Sequence, residues 1–336
     1  MAKVGFVDNA LVVLANTVNA IVSRDIEPTV FDQVLKHNPF LYRFWRKGPK
    51  KQGGSVLTWP VLTAAKTNGA FYTGSGTLPH GSEDTIQSAQ VEWRHAAEDV
   101  TVPRTDLLRA QGPLAKVDLL KTKFDEAILN LRARLASASY TRPTLPSGGN
   151  DTLALDNLFE AIDDGTTSGT VAATYAGISH TNAYWKPGVT GLGMVNIGGA
   201  VSALGTLQTQ YSEASDGDEQ PTVTATTAKG FDFYWGQMQA LQRYTTDEEM
   251  TKAGFENLKH NRAVVIVDRN MPAGCMLWIN EAWVDLVSHE DENFVIDPII
   301  PGTQDQRVLN TKIAWSGNWR VKIPRYQSKL IGATNF

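Results

Sequence analysis

The residues able to do chemistry are scattered along this sequence, and the spacings that build a catalytic site are missing. No Gly-x-x-x-x-Gly-Lys-Ser/Thr segment offers backbone N–H groups to a nucleotide phosphate. No Gly-x-Ser-x-Gly presents a serine on a strained turn, and no His-Glu-x-x-His sets two imidazoles on one helix face for zinc. Gly191-Leu192-Gly193 would need a glycine at 196 to cradle a pyrophosphate, and that position is Asn196, so the stretch reads as an ordinary turn. Glu92 and His95 have a spacing that bridges a metal only when a second copy faces it, and none exists; they read as neighbours on a strand. His289-Glu290-Asp291-Glu292 gathers four potential ligands, but consecutive side chains between two strands point mostly into water. Asp216-Gly217-Asp218-Glu219 lacks the downstream bidentate Glu of a calcium loop. Cys275 has no His or basic neighbour to activate it and reads as a buried, inert thiol.

What remains is charge. Lys36, Arg43, Arg46, Lys47, Lys50 and Lys51 follow one another with no intervening acid, a run that suits phosphates or an acidic partner, or the solvated cationic end of a helix. Acid gathers instead between residues 212 and 249.

Over 336 residues the formal net charge is −4, with 42% hydrophobic and 20% charged residues and a single Cys. Such a composition excludes disordered, collagen-like and disulfide-framed chains, and the length suits about two domains. No apolar run approaches the ~20 residues of a membrane span. Ala10 to Ala15 is too short, and too soon interrupted by Asn16, Thr17 and Asn19, to serve as a signal peptide, so residues 1 to 30 read as an arm with one amphipathic stretch. The lone thiol points to an intracellular origin.

The elements that must carry these residues alternate between α and β. Ser55 to Pro60 and Ile86 to Trp93 read as strands flanking a Gly/Thr/Ser-rich middle, a long hairpin whose polar tip must lean on something else. From Pro113 to Ser139, apolar residues at Leu114, Val117, Leu120, Phe124, Ile128, Leu131 and Leu135 define one stripe on a helix of about 26 residues, ~39 Å long. Helices are predicted over Leu153 to Ile162, Ile197 to Tyr211 and Phe231 to Arg243. Strands are predicted over Thr222 to Thr227, Ala263 to Asp268, Met276 to Asn280, Trp283 to Ser288, Lys312 to Trp315 and Trp319 to Ile323. Nine tryptophans, widely spread, suit core and interface anchoring.

Three segments carry a family likeness. The first runs from Phe231-Asp232-Phe233-Tyr234-Trp235 through Gln242-Arg243-Tyr244-Thr245 to Ala253-Gly254-Phe255-Glu256-Asn257-Leu258-Lys259. The second is the strand Ala263 to Asp268, the turn Met271-Pro272-Ala273-Gly274 and the strand Met276-Leu277-Trp278-Ile279-Asn280. The third is Ile313-Ala314-Trp315 to Arg320-Val321-Lys322-Ile323-Pro324-Arg325-Tyr326-Gln327. In these segments, and in its order of arm, hairpin, long helix, mixed domain and closing strands, the sequence resembles the major capsid proteins of tailed bacteriophages with the Hong Kong 97 fold.

That resemblance implies an α+β chain with an N-terminal arm (1–51), an extended β-hairpin loop (52–98), a peripheral domain (99–150 and 290–336) with a spine helix at 113–139, and an axial domain (151–289). It implies a structural protein without catalysis, cofactor or metal, which assembles with itself through pentamers and hexamers into an icosahedral shell around double-stranded DNA. Its partners would be either a separate scaffold protein or none, together with a portal and decoration proteins. It would assemble in the bacterial host cytoplasm and end in the virion, with no membrane. The basic run Lys36 to Lys51 would face neighbouring subunits or packaged DNA, which the negative net charge limits to weak, non-specific contact. Some relatives crosslink Lys to Asn through the extended loop; Lys66 is the lysine near its middle, and nothing in the sequence identifies an acyl partner. The rival readings are a nanocompartment shell around enzyme cargo, a two-domain α/β enzyme, and a phage tail or connector protein.

Overall fold

The computed structural model describes residues 38–51, 53–76, 80–109, 113–141, 151–167, 173–187, 194–196, 199–201, 204–242, 258–298, 300–301 and 308–336. The amphipathic stretch expected near the N-terminus, Lys36, and the part of the family-like segment within 243–257 lie outside these residues.

The chain enters through α1 (Pro39–Lys47), started by the Asn38 side chain, whose Oδ1 accepts from Leu41 N at 3.0 Å, and by a proline at the first helical position. β1 (Lys50–Lys51) leads to the hairpin β2 (Val56–Leu62) and β3 (Ile86–Glu92), paired antiparallel from Val56↔Glu92 to Leu62↔Ile86. Leu57, Trp59 and Val61 alternate inward with Ala89 and Val91, so the hairpin base lies on the body of its own subunit. Pro60 falls on the outward face opposite Ser88. Next come β4 (Arg94–Pro103), α2 (Arg104–Arg109) and α3 (Pro113–Ala138). The α3 stripe is as expected: Leu120, Phe124, Ile128, Leu131 and Leu135 are buried in the main core and the helix packs along β4.

Two sheets organise the rest. The first is centred on β14 (Val308–Val321), flanked by β4 along one edge and by β12 (Val284–Ile296) and β13 (Ile300–Pro301) along the other, with β1 added parallel outside β12. The second has the order β7 (Met194–Asn196), β15 (Ser328–Ile331), β11 (Met276–Ile279), β8 (Val223–Thr226), β10 (Ala263–Val267), β9 (Lys259–His260). All four residues of β11 are buried because this sheet is covered on both faces. Met276 and Trp278 face a core with Leu207 and Tyr211 of α5 (Leu204–Glu213) and Tyr234 of α6 (Ala228–Gln242). Leu277 and Ile279 face the main core.

Four expectations are revised. Of Leu153 to Ile162 only one turn is helical, α4 (Leu158–Ala161), because the Asp151 and Asn157 side chains take the local backbone N–H groups into turn and cap. The helix expected from Ile197 begins at Leu204, and Met194–Asn196 is a strand parallel to β15; Gly198 and Gly199 weaken a helical start there. The two closing strands are one, β14, passing through Gly317, where a Cβ would lie 2.5 Å from both the Trp315 ring and Val287 O. That glycine marks a close approach and does not break the strand. Trp283 to Ser288 lengthens into β12, so His289 to Glu292 sit on the register irregularity of a strand and not in a loop. β15 lies in the second sheet between β7 and β11.

Asn318 and Trp319 of β14 are both fully buried. Asn318 Nδ2 donates to Glu92 O and to Asp156 Oδ2, each at 2.8 Å, and its Oδ1 accepts from Asp156 N at 3.0 Å. Trp319 Nε1 donates to Ser139 Oγ at 3.0 Å, while its ring meets Phe40 and Phe44 of α1 at 6.2 and 5.4 Å.

The core of the second sheet is acid-sensitive. His260, 6% exposed among Tyr211, Tyr234 and Trp278, accepts a hydrogen bond on Nδ1 from Trp278 Nε1 at 3.2 Å, and burial pushes its pKa down from 6.5 to about 4. Between those values the unfolded chain binds a proton that the folded chain refuses, so stability falls as pH falls, by about 3 kcal/mol across the window. Buried His180 acts in the same direction. Urea midpoints at pH 7 and pH 4.5 should therefore separate strongly in the wild type. In His260→Gln, which keeps an acceptor for Trp278, they should separate less; an unchanged separation would refute the assignment.

Candidate functional site

The basic run expected at 36–51 folds into two pieces. Arg43, Arg46 and Lys47 lie on α1, Lys50 and Lys51 on β1. Arg43 and Lys47 converge on Glu281, which sequence reasoning missed. Arg43 Nε and Nη2 grip the two carboxylate oxygens, Nη2 at 3.0 Å, and Lys47 Nζ reaches Oε2 at 3.0 Å. Thr222 Oγ1 donates to Glu281 Oε2 at 3.2 Å and accepts from Glu281 N at 3.2 Å, which ties the carboxylate and its backbone to the residue just before β8. Burial pushes the Glu281 carboxyl up, but the hydrogen bonds and charges of Arg43 and Lys47 outweigh it and hold it below its ordinary range. Two cations of the run are thus engaged within the subunit, while Arg46 and Lys50 are exposed at its surface. Nothing in the spacing of Glu281 announces this pairing, which spans 238 residues from Arg43.

The second feature is the far end of the hairpin. Beyond Thr63 and Thr85 its two limbs leave the body and are tied by Thr67 to Glu83 and by Asn68 Nδ2 to Gly81 O at 3.2 Å. The Thr67 hydrogen bonds, with Lys66 close by, lower the Glu83 pKa. Lys66 is exposed at this neck. Past it, Phe71 is fully exposed and Tyr72 is 64% exposed, with the Leu62–Ile86 pair also open at 50% and 59%. An aromatic dipeptide inside a Gly/Thr/Ser stretch was the sequence signal for this anchor. These two rings are an apolar group that the chain itself leaves unburied.

The remaining chemistry-bearing residues have structural duties. His95 meets Ser316 and Glu292, and Glu92 meets Arg94. Glu219 accepts from Asn280 Nδ2 and Trp283 Nε1 at 2.7 and 2.8 Å, so the acidic turn is an anchor at one end. Cys275 is buried, its thiol pushed up to about 11. Among the described residues no cluster of His, Cys, Asp and Glu suits a metal ion, and no helix is long and apolar enough to cross a membrane.

This fold, a two-sheet α+β body with a projecting hairpin and a long helix, is the fold of tailed-phage capsid chains. The structure is similar to the chain in the cyanophage A-1(L) capsid asymmetric unit, with TM-score 0.64 and 16% identity over 88% of this chain and 93% of that one. It is also similar to the capsid chain of a native GTA particle, with TM-score 0.53 and 11% identity over 84% and 86% of the two chains. A chain of Mycobacterium phage Bobi aligns with TM-score 0.52 and 12% identity over 85% and 88%. No protein-family model matches the sequence, and no curated protein does.

Glu281→Gln should lower stability at pH 7 by about 1–2 kcal/mol, a value discounted because Arg43 and Lys47 keep 33% and 60% of their side-chain surface in water. With the carboxyl pKa depressed, the stabilisation is present above the ordinary value of 4.5 and is lost as pH falls through the lowered one. The deficit in urea unfolding should accordingly shrink in acid and in high salt; a deficit independent of both would mean the pairing is not electrostatic.

Proposed function

We propose that this chain is the major capsid protein of a tailed phage, which assembles with itself through pentamers and hexamers into an icosahedral shell around double-stranded DNA. The observation that carries the reading is a fold shared almost end to end with capsid chains, 88% of this chain onto 93% of the cyanophage one. Fold alone leaves function open, and the exposed aromatic tip of the hairpin supports the same conclusion. In this reading residues 1–51 are the arm, 52–98 the extended loop, 99–150 and 290–336 the peripheral domain with α3 as its spine, and 151–289 the axial domain. The far end of the hairpin lies over a neighbour, and heterologous contacts close into rings. Arg46, Lys50 and Lys51 face adjacent subunits or, weakly and without sequence preference, DNA. Lys66 stands where the loop meets a neighbour. A scaffold protein, a portal and decoration proteins join the shell during assembly in the host, and the product is the virion.

The chain expressed alone, and with a scaffold, should give closed shells or free pentamers and hexamers by size-exclusion chromatography and negative-stain electron microscopy. A monomer or dimer that never assembles would sink the proposal. Shells loaded with a cargo enzyme would favour the nanocompartment reading. Replacing Phe71 and Tyr72 together by serine should abolish shells while leaving the far-ultraviolet spectrum and urea midpoint of the subunit within about 0.5 kcal/mol of wild type, since both side chains are exposed within the subunit.

A further inference from the structure

One group of titratable side chains has no part in the surfaces described above. Lys329 of β15 and Asp163, just past α4, are both 0% exposed. Lys329 Nζ lies 3.3 Å from Asp163 Oδ2 and 2.5 Å from Phe159 O, with the Phe159 ring 5.6 Å away. Asp164 is committed to its own turn, where it accepts from the N–H and hydroxyl groups of Thr166 and Thr167. His180, fully buried, sits in the field of Asp163 and Lys329.

A sealed Lys–Asp ion pair loses the hydration of both charges and recovers it only in part. Passing one proton from nitrogen to oxygen within the pair gives amine beside carboxylic acid, and burial pushes both the Lys329 amine and the His180 imidazole towards their neutral forms. A neutral amine is a nucleophile and a neutral carboxylic acid is an electrophile. Here Nζ and Oδ2 are held 3.3 Å apart, with both side chains 0% exposed and away from the water that would reverse their condensation.

We propose that Lys329 and Asp163 join in an intrachain isopeptide bond. The Nζ lone pair attacks Asp163 Cγ, the C–N bond forms, and the tetrahedral adduct collapses by breaking the C–OH bond. The proton released from nitrogen passes to the departing hydroxyl, with the neutral imidazole of His180 as relay, and one water leaves. No oxidation state changes and no co-reactant is consumed. The amide N–H that results already has its acceptor in Phe159 O. The link would join residues 166 apart and tie a central strand of the second sheet to the α4 turn.

The denatured full-length chain should weigh one water less than its sequence. Digestion with trypsin and a glutamate-specific protease should release a branched peptide joining the C-terminal segment after Arg325 to the fragment holding Asp163. Lys329→Arg and Asp163→Ala should restore the full mass. A wild-type chain at full mass and cleaved by trypsin after Lys329 overturns the proposal, as does a water loss that maps elsewhere, such as a succinimide at Asp216-Gly217. The decisive mass is read on the wild type, so a variant that fails to fold does not obscure it. Free subunits and shells give the same answer, so this test and the assembly test can fail separately.

Discussion

Asn318 and Trp319 are consecutive on β14, so their side chains leave the sheet on opposite faces, and each is met by a different set of partners. Asn318 closes the end of the hairpin through Glu92 O and holds Asp156 by both its backbone and its carboxylate. Trp319 meets Phe40 of α1 at a tilt and Phe44 edge-on, and bonds the end of the long helix through Ser139. Four segments remote in sequence thus depend on two side chains that neither tolerate exposure nor have spare hydrogen-bonding capacity. A buried amide with its partners in place is a strict specifier, since any other register of β14 against β4 and β12 would strand it.

The passage from the second sheet to the first is fixed in a related way. Between β11 and β12 the chain has only Asn280, Glu281, Ala282 and Trp283 in which to change sheets. Glu219 holds Asn280 and Trp283 from one side, and Arg43 and Lys47 hold Glu281 from the other. The angle between the sheets is therefore set by carboxylates at a short connection, while the apolar cores on either side fill the volume that this angle leaves. Helix α1 contributes to both, with Phe40 and Phe44 inward and its cations on Glu281, which explains why so basic a segment forms part of the body.

Local patterns in the sequence were legible where a single physical term dominates. The α3 stripe, the hairpin pairing and the short apolar runs of β8, β10 and β11 follow from periodicity and burial. The failures came where tertiary partners override local preference. Leu153 to Ile162 has helical spacing, but Asp156 is claimed by Asn318. Gly317 looks like a break and is a close approach of Trp315 and Val287. For the candidate site, the polar tip and its lack of a core were readable. The engagement of Arg43 and Lys47 by Glu281, across more than two hundred residues, was not, because a single acid carries no spacing.

Pro60 gives the hairpin a further property. The β3 side of this two-stranded ribbon is met by Ala176, whose O accepts from Gln90 N at 3.1 Å, and the other side is the edge of β2, a row of backbone groups able to template another strand. Proline has no N–H, so the outer edge of β2 has a gap in its row of donors halfway along, opposite Ser88. A second copy arriving edge-on finds no continuous ladder, and only side-chain contacts at the tip are left to it. A newly made chain is thereby less able to join a second copy into a cross-β polymer along this edge.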